Sequence, residues 1–223
     1  MIFSFLVSAY TYFTYFLAPP FCLFCSESLH ERKALCTNCS LQVLPIVPFD
    51  FYLGKEKIVK VFAVSAYKDP LRSLVLAKHA NNETYIRLLA DFIAGQAIVA
   101  RLDFDIILFI PLHWTRYASR GFNQAEIIAQ AVAQKTGKFV IPAIVRSKKT
   151  EFQARLSVEA REQNVQNAFT VDPKYAQQIT GKKILLVDDL FTTGSTVKSV
   201  AQILFKFKPA SVDVFVACRV TSL

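Results

Sequence analysis

The stretch from Lys183 to Val197 limits the folds open to this chain more than any other part of the sequence. It begins with an apolar run, Ile184 to Val187, which predicts a strand buried on both faces, as in a parallel sheet. Asp188 and Asp189 follow at the end of that run. Because an unpaired carboxylate is costly to bury, we expect these two side chains to face a cleft, a cation or hydroxyl groups.

A turn of small residues comes next and leads into a helical pattern; its members are Thr192, Thr193, Gly194, Ser195 and Thr196. Their backbone N–H groups and hydroxyls would lie at a helix N-terminus, where a phosphate binds well. A lone Asp pair in this position would more simply be explained as a helix N-cap. The whole string instead favours a sugar-phosphate site at the C-terminal edge of a parallel sheet, with the acidic pair holding a ribose or Mg²⁺.

Strands and helices alternate along the rest of the chain. Apolar and β-branched runs predict strands over residues 58–67, 105–113, 138–145, 183–190 and 211–220, and helical periodicity predicts helices over 70–80, 83–101 and 123–137. This alternation is typical of an α/β fold with a doubly wound, mostly parallel sheet flanked by helices. Residues 44–48 are predicted to be a linker that divides the chain into domains 1–48 and 49–223.

Composition and charge exclude some classes of protein. In this 223-residue chain, 53% of the residues are hydrophobic and 19% are charged, which excludes a disordered chain. The net charge of +9 indicates an anionic partner, which could be nucleic acid, a phosphate substrate or a membrane surface.

The first 18 residues are apolar and carry no charged side chain. Ser4, Ser8, Thr11 and Thr14 recur at helical spacing, which favours a helix packed on its own domain over membrane attachment. No basic start or small-residue cleavage site marks a secretory signal, so we expect a cytoplasmic protein, with the inner face of the cytoplasmic membrane as the alternative.

Two Cys-x-x-Cys pairs follow the apolar segment: Cys22 with Cys25 and Cys36 with Cys39. This spacing presents four thiolates to one tetrahedral Zn²⁺, whereas two disulfides would be the alternative in an oxidising compartment. Four cysteines leave no open coordination position, so the predicted zinc is structural.

Two segments are rich in basic side chains. Arg116 and Arg120 lie at a predicted strand-to-helix junction next to Gly121, and a long loop after the 138–145 strand carries further cations: Arg146, Lys148, Lys149 and Arg155. Solvated side chains on a plain surface loop would be the simpler explanation. A loop of this length with this charge also suits a lid that contacts pyrophosphate or a nucleic-acid backbone.

These motifs together resemble a known family. The string Val187-Asp-Asp-Leu-Phe-Thr-Thr-Gly-Ser-Thr196 is similar to the phosphoribosyl diphosphate (PRPP) signature of phosphoribosyltransferases. The two cysteine pairs, Pro111-Leu-His113 and Arg120-Gly-Phe-Asn-Gln124 are similar to the zinc ribbon and hallmark segment of the ComF family, which includes competence and GntX-like proteins. Their order along nearly the whole chain identifies it as a member of that family.

The resemblance implies a type I phosphoribosyltransferase-like domain over residues 49–223, carrying an N-terminal zinc ribbon. Asp188 and Asp189 would hold the ribose hydroxyls of PRPP, together with Mg²⁺, and residues 192–196 would wrap the 5′-phosphate. Some members of the superfamily have an Asp that can act as a general base at the position that Thr192 occupies here. The Thr192 hydroxyl has no useful pKa for that role. The catalytic residues therefore stay unassigned.

The implied role is to support uptake of single-stranded DNA in natural transformation, with a helicase-like competence ATPase as a partner. Two other functions stay open on the sequence. The first is an active phosphoribosyltransferase in metabolism, either in nucleotide metabolism or in a GntX-like role. The second is a non-catalytic, basic scaffold that binds DNA.

Overall fold

The structure is a computed structural model, and it describes residues 19–54, 57–76, 82–146 and 168–221. The predicted helix over residues 1–18 and the cations Lys148, Lys149 and Arg155 lie outside the described residues. Within the described ranges, no helix combines the length and the apolar character needed to span a bilayer.

Eight strands are present in the described residues: β1 (Phe49–Tyr52), β2 (Ile58–Ala66), β3 (Ile106–Phe109), β4 (Phe139–Val140), β5 (Ile144–Arg146), β6 (Phe169–Val171), β7 (Lys183–Phe191) and β8 (Ser211–Arg219). Six of them form one sheet in the order β1-β2-β8-β7-β3-β4. Only β1 is antiparallel to its neighbour. The predicted mostly parallel α/β sheet is therefore confirmed.

The described helices are α1 (Thr37–Leu41), α2 (Leu71–Leu76), α3 (Glu83–Ala94), α4 (Trp114–Arg120), α5 (Gln124–Thr136), α6 (Ala176–Ile179) and α7 (Ser195–Leu204). The prediction of one helix over residues 83–101 was wrong, because α3 ends at Ala94 with Gly95 as its C-cap and a short 3₁₀ turn, Val99–Arg101, follows. The predicted helix over 123–137 is confirmed as α5, which Asn123 and Gly137 cap.

The prediction of one strand over residues 138–145 was also wrong. Phe139 and Val140 pair with β3 in the main sheet, whereas Ile144 to Arg146 pair with β6 in a separate two-stranded sheet. Pro142 lies between the two pieces and has no N–H group to donate to a ladder, so the chain turns away there. This break gives Arg146 a place in a hairpin instead of in the main sheet.

Two apolar cores cover the two faces of the sheet, because side chains alternate along each strand. Leu185 and Val187 of β7 pack on the face that carries α2, α3 and α5. Ile184 and Leu186 pack on the face that carries α7 and the β5–β6 hairpin. Burial on both faces explains why the central strands are almost continuously apolar.

Candidate functional site

The acidic pair lies at the C-terminal end of β7, the central strand of the parallel sheet. The Asp189 backbone N–H donates to Asp188 Oδ1 at 2.9 Å. Burial raises the pKa of the Asp188 carboxyl well above its usual value, and the negative charge of Asp189 raises it further. Asp188 therefore retains its proton more readily than a solvated carboxyl does.

Asp189 also borders a small cavity on the α3 side of the sheet. Apolar side chains of α2, α3 and α5 line most of it, including Val75, Ile86 and Ile128, and Gln124 adds a polar group. Asp188 instead interacts electrostatically with Arg146 of the hairpin on the other face. The pair is thus flanked by protein on both faces of the sheet.

The small-residue turn connects β7 to α7. Gly194 precedes the helix in a left-handed conformation, with φ of 76°. A Cβ atom on Gly194 would lie 2.5 Å from Phe51 Cζ and 2.7 Å from Phe191 Cζ, so only glycine fits without a shift of these rings. The hydroxyl oxygens of Thr193 and Ser195 are 3.1 Å apart. The turn therefore brings two hydroxyls together at the first residue of a ten-residue helix.

Three of the predicted cationic residues lie near this end of the sheet. Burial lowers the pKa of Arg146 to about 10, with Arg116 lowering it further and Asp188 opposing the shift. Burial also lowers the pKa of Arg116, and the charge of Arg120 adds to that effect. Arg116, Arg120 and Arg146 therefore form a connected group of positive charge that reaches Asp188. We call these three side chains the arginine cluster.

Some features of this region were not singled out from the sequence. Strand β1 was not predicted, yet its Phe51 packs edge-on against Phe191, with ring centroids 5.3 Å apart, and closes the space beside Gly194. Trp114 and Tyr117 are exposed aromatic side chains on the same short helix as Arg116 and Arg120. An aromatic residue beside arginine at a strand-to-helix junction was the available signal for the second feature.

The four cysteines of the N-terminal segment form one cluster. All four Sγ atoms lie within 4.8 Å of one another, and those of Cys25 and Cys36 are 3.7 Å apart. In a tetrahedral site with Zn–S bonds of ~2.3 Å, neighbouring sulphur atoms are about 3.8 Å apart. The Cys39 backbone N–H donates to Cys36 Sγ at 3.4 Å. The cluster fits the predicted zinc.

Known proteins match most of this chain. Residues 118–222 match the family model of the phosphoribosyl transferase domain. The DNA utilization protein YhgH of Salmonella typhimurium is 31% identical in an alignment 207 residues long that covers 89% of each chain. Competence protein ComFC of Streptococcus pneumoniae is 33% identical in an alignment 206 residues long that covers 86% of this chain and 85% of its own.

Among solved structures, the glutamine PRPP amidotransferase of B. subtilis in complex with ADP and GMP aligns with 73% of this chain and 32% of its own, at 15% identity and a TM-score of 0.43. Both relatives exceed 30% identity over more than four fifths of this chain. The chain therefore belongs to the ComF family of phosphoribosyltransferase-like proteins.

Proposed function

We propose that this protein binds PRPP with Mg²⁺ at the C-terminal edge of its sheet. The observation that carries this proposal is the juxtaposition of the Asp188–Asp189 pair with the Gly194 turn at the two ends of one short connection. Carboxylates suit ribose hydroxyls and Mg²⁺, and the start of α7 suits a phosphate. The arginine cluster supplies positive charge for the pyrophosphate end of the same ligand.

The proposal is for binding and leaves the acceptor of any transferred group open. Thr192 is exposed, and its hydroxyl cannot act as a general base near neutral pH. The relatives support a role in handling DNA, since they are named a DNA utilization protein and a competence protein. A second proposed activity is therefore binding of single-stranded DNA, in support of its uptake, by the arginine cluster and the cations of residues 147–167.

The PRPP proposal is tested by isothermal titration calorimetry with Mg²⁺ present. Wild type should bind PRPP, and Asp188→Asn and Asp189→Asn should each lose roughly 1.5–3 kcal/mol of binding free energy, because each removes a charged hydrogen-bonding partner. Asp172→Asn is a matched control, since Asp172 pairs with Lys174 on the surface. No heat of binding for wild type at millimolar PRPP would refute the proposal.

The DNA proposal is tested by fluorescence anisotropy of a labelled single-stranded oligonucleotide at several salt concentrations. If about four cations contact phosphates, the log–log slope should be near −3, because each contact contributes about −0.7. Changing Lys148 and Lys149 together to Ala should flatten the slope by up to about 1.4, whereas Asp188→Asn should leave it nearly unchanged. Absence of binding at low salt would exclude this activity.

Competition between the two ligands tests a shared site. If DNA phosphates and PRPP both occupy the Gly194 turn, millimolar PRPP should displace the oligonucleotide. Unchanged anisotropy in saturating PRPP would show that the two sites are separate.

A further inference from the structure

Two aromatic side chains are exposed to solvent on the helix that carries two of the three residues of the arginine cluster. Trp114 of α4 is 70% exposed, and Tyr117, one turn further on, is 48% exposed. We propose that Trp114 and Tyr117 form a stacking surface for the bases of a single-stranded DNA segment whose phosphates contact Arg116 and Arg120. This inference rests on the proposed binding of single-stranded DNA and assigns it an aromatic subsite.

The His113 ring lies on one side of the Trp114 ring. His113 precedes Trp114 and is 3% exposed, and the two ring centroids are 5.7 Å apart at an interplanar angle of 41°. His113 Nδ1 accepts a hydrogen bond from the Thr115 backbone N–H at 3.3 Å, which caps α4. The indole therefore has a buried ring beside it and a large open surface towards solvent.

The order of side chains around α4 matches the layout of a nucleic-acid strand. At about 100° per residue, Arg116, Arg120, Tyr117 and Trp114 follow one another around the helix. Positive charge thus lies directly beside aromatic surface, as phosphates lie beside bases. The charged side continues towards the sheet, since Arg116 interacts electrostatically with Arg146 and Arg146 with Asp188.

Charge favours a nucleic acid over an apolar protein surface as the occupant. The seven residues of α4 include two arginines and no acidic residue, and the chain carries a net charge of +9. A second copy of this chain would bring the same positive charge to the same place and would be repelled. Aromatic faces beside basic side chains are the usual means of binding single strands without sequence preference.

Trp114 is the only tryptophan of the chain, so tryptophan emission, excited selectively over that of the tyrosines, reports on this position alone. The wild-type protein should be titrated at low salt with a thymidine oligonucleotide and with an abasic oligonucleotide of the same length and charge. The thymidine strand should quench Trp114 emission strongly and bind more tightly. The abasic strand should bind through its phosphates, more weakly and with little quenching.

Trp114→Ala should weaken binding of the thymidine strand by about tenfold or more, because one stacking contact is lost. It should leave binding of the abasic strand within about twofold and the salt slope unchanged, since no phosphate contact is removed. Trp114→Phe should restore part of the lost affinity. Tyr117→Ala should follow the same pattern, and Arg116→Ala should instead flatten the slope by about 0.7.

Phe139→Ala is the matched control. This aromatic side chain is 78% exposed and pairs with Ile106, the first residue of the parallel strand β3, at the opposite end of the sheet. The variant should leave the preference for the thymidine strand intact. Equal loss of affinity for both strands in Trp114→Ala would overturn the stacking surface, as would thymidine binding that neither quenches Trp114 nor changes in the variant.

The two levels of the proposal fail in different ways. If the wild type binds neither oligonucleotide at low salt, the proposed DNA-binding function fails and the stacking surface fails with it. If the wild type binds both strands equally and the arginine variants change the salt slope, DNA binding stands and the stacking surface alone fails.

Discussion

At the scale of single residues, both the backbone conformation and the side-chain packing at position 194 require glycine. Its φ of 76° is left-handed, and the rings of Phe51 and Phe191 occupy the space of a Cβ atom. The Gly194 turn is thus packed against β1, an edge strand of the sheet. The fold of the turn itself therefore requires a glycine at this position.

Gly194→Ala should therefore destabilise the protein more than an alanine at a left-handed glycine in open space. Gly137 is that control, since its φ is 69° and no atom lies within 4 Å of its Cβ position. Gly137→Ala should cost about 1–2 kcal/mol of unfolding free energy from backbone strain alone, and Gly194→Ala should exceed it by about 1–3 kcal/mol from overpacking. Urea unfolding measures both, and equal losses would contradict the role of the rings.

Asp188 makes the ligand-free protein less stable than it could be. Burial and the charge of Asp189 raise its pKa in the folded state. The folded protein thus binds more protons than the unfolded chain between the ordinary Asp pKa of about 3.9 and the raised value, and stability falls as pH rises through that window.

Asp188→Asn removes this dependence and should raise the thermal midpoint at neutral pH. Each unit by which the Asp188 pKa is raised corresponds to about 1.4 kcal/mol, and the gain should vanish as the pH falls below about 4, where Asp188 becomes protonated in the unfolded chain as well as in the folded protein. Calorimetric unfolding from pH 4 to pH 8 measures the effect. An Asn variant that is less stable than wild type at pH 7 would show that interactions in the folded protein offset the cost of burying the Asp188 charge.

At the scale of elements, Asn123 joins the end of β3 to the start of α5. Its Oδ1 accepts from the Ala125 N–H at 3.1 Å, its Nδ2 donates to the Ile110 carbonyl at 3.0 Å, and its side chain is buried. These two bonds close the segment that contains α4. One side chain therefore both caps α5 and fixes the segment that presents Arg116 and Arg120.

Two substitutions of Asn123 separate these contributions. Asn123→Ser keeps an oxygen for the cap and loses the bond to Ile110, so it should lower the unfolding free energy by about 1–3 kcal/mol. Asn123→Ala loses the cap as well and should cost about 1 kcal/mol more. Urea unfolding of wild type and the two variants gives both differences. A Ser variant as stable as wild type would show that the hydrogen bond from Asn123 to the Ile110 carbonyl does not stabilise the protein.

At the scale of the whole molecule, the cysteine segment is part of the main core. Cys22, Leu35 and Val43 are buried in the same apolar cluster as Leu89 of α3 and Phe215 of β8. Residues on both sides of the predicted domain boundary at residue 48 therefore contribute to one core. If the four cysteines hold zinc, its loss should therefore destabilise more of the protein than the cysteine segment alone.

The purified protein should contain about one equivalent of zinc, measured by elemental analysis. Cys36→Ser should lower both the zinc content and the unfolding free energy, the latter by several kcal/mol, on the order expected when binding energy is folding energy. Cys218→Ala is the control and should keep the zinc, because Cys218 is buried in β8. Less than a tenth of an equivalent in protein prepared without chelator would refute the metal site.

Features that depend on neighbours along the chain were predictable from the residues alone. The apolar run of β7, the acidic pair, the Gly194 turn and α7 follow from strand burial, the cost of buried charge and the chemistry of helix starts. The cysteine spacing determined the four-sulphur cluster in the same way. Each of these patterns spans few residues, so local geometry is enough to place its members.

Contacts between distant segments became known only from the folded chain. The two ends of the predicted 138–145 strand joined different sheets, and that separation put Arg146 within electrostatic reach of Arg116 and Asp188. Phe51 reached Gly194 through the pairing of β1 with β2, a contact between residues 143 positions apart in the numbering (194 − 51). Such contacts arise from strand order and the packing of two faces, which no short stretch of sequence encodes.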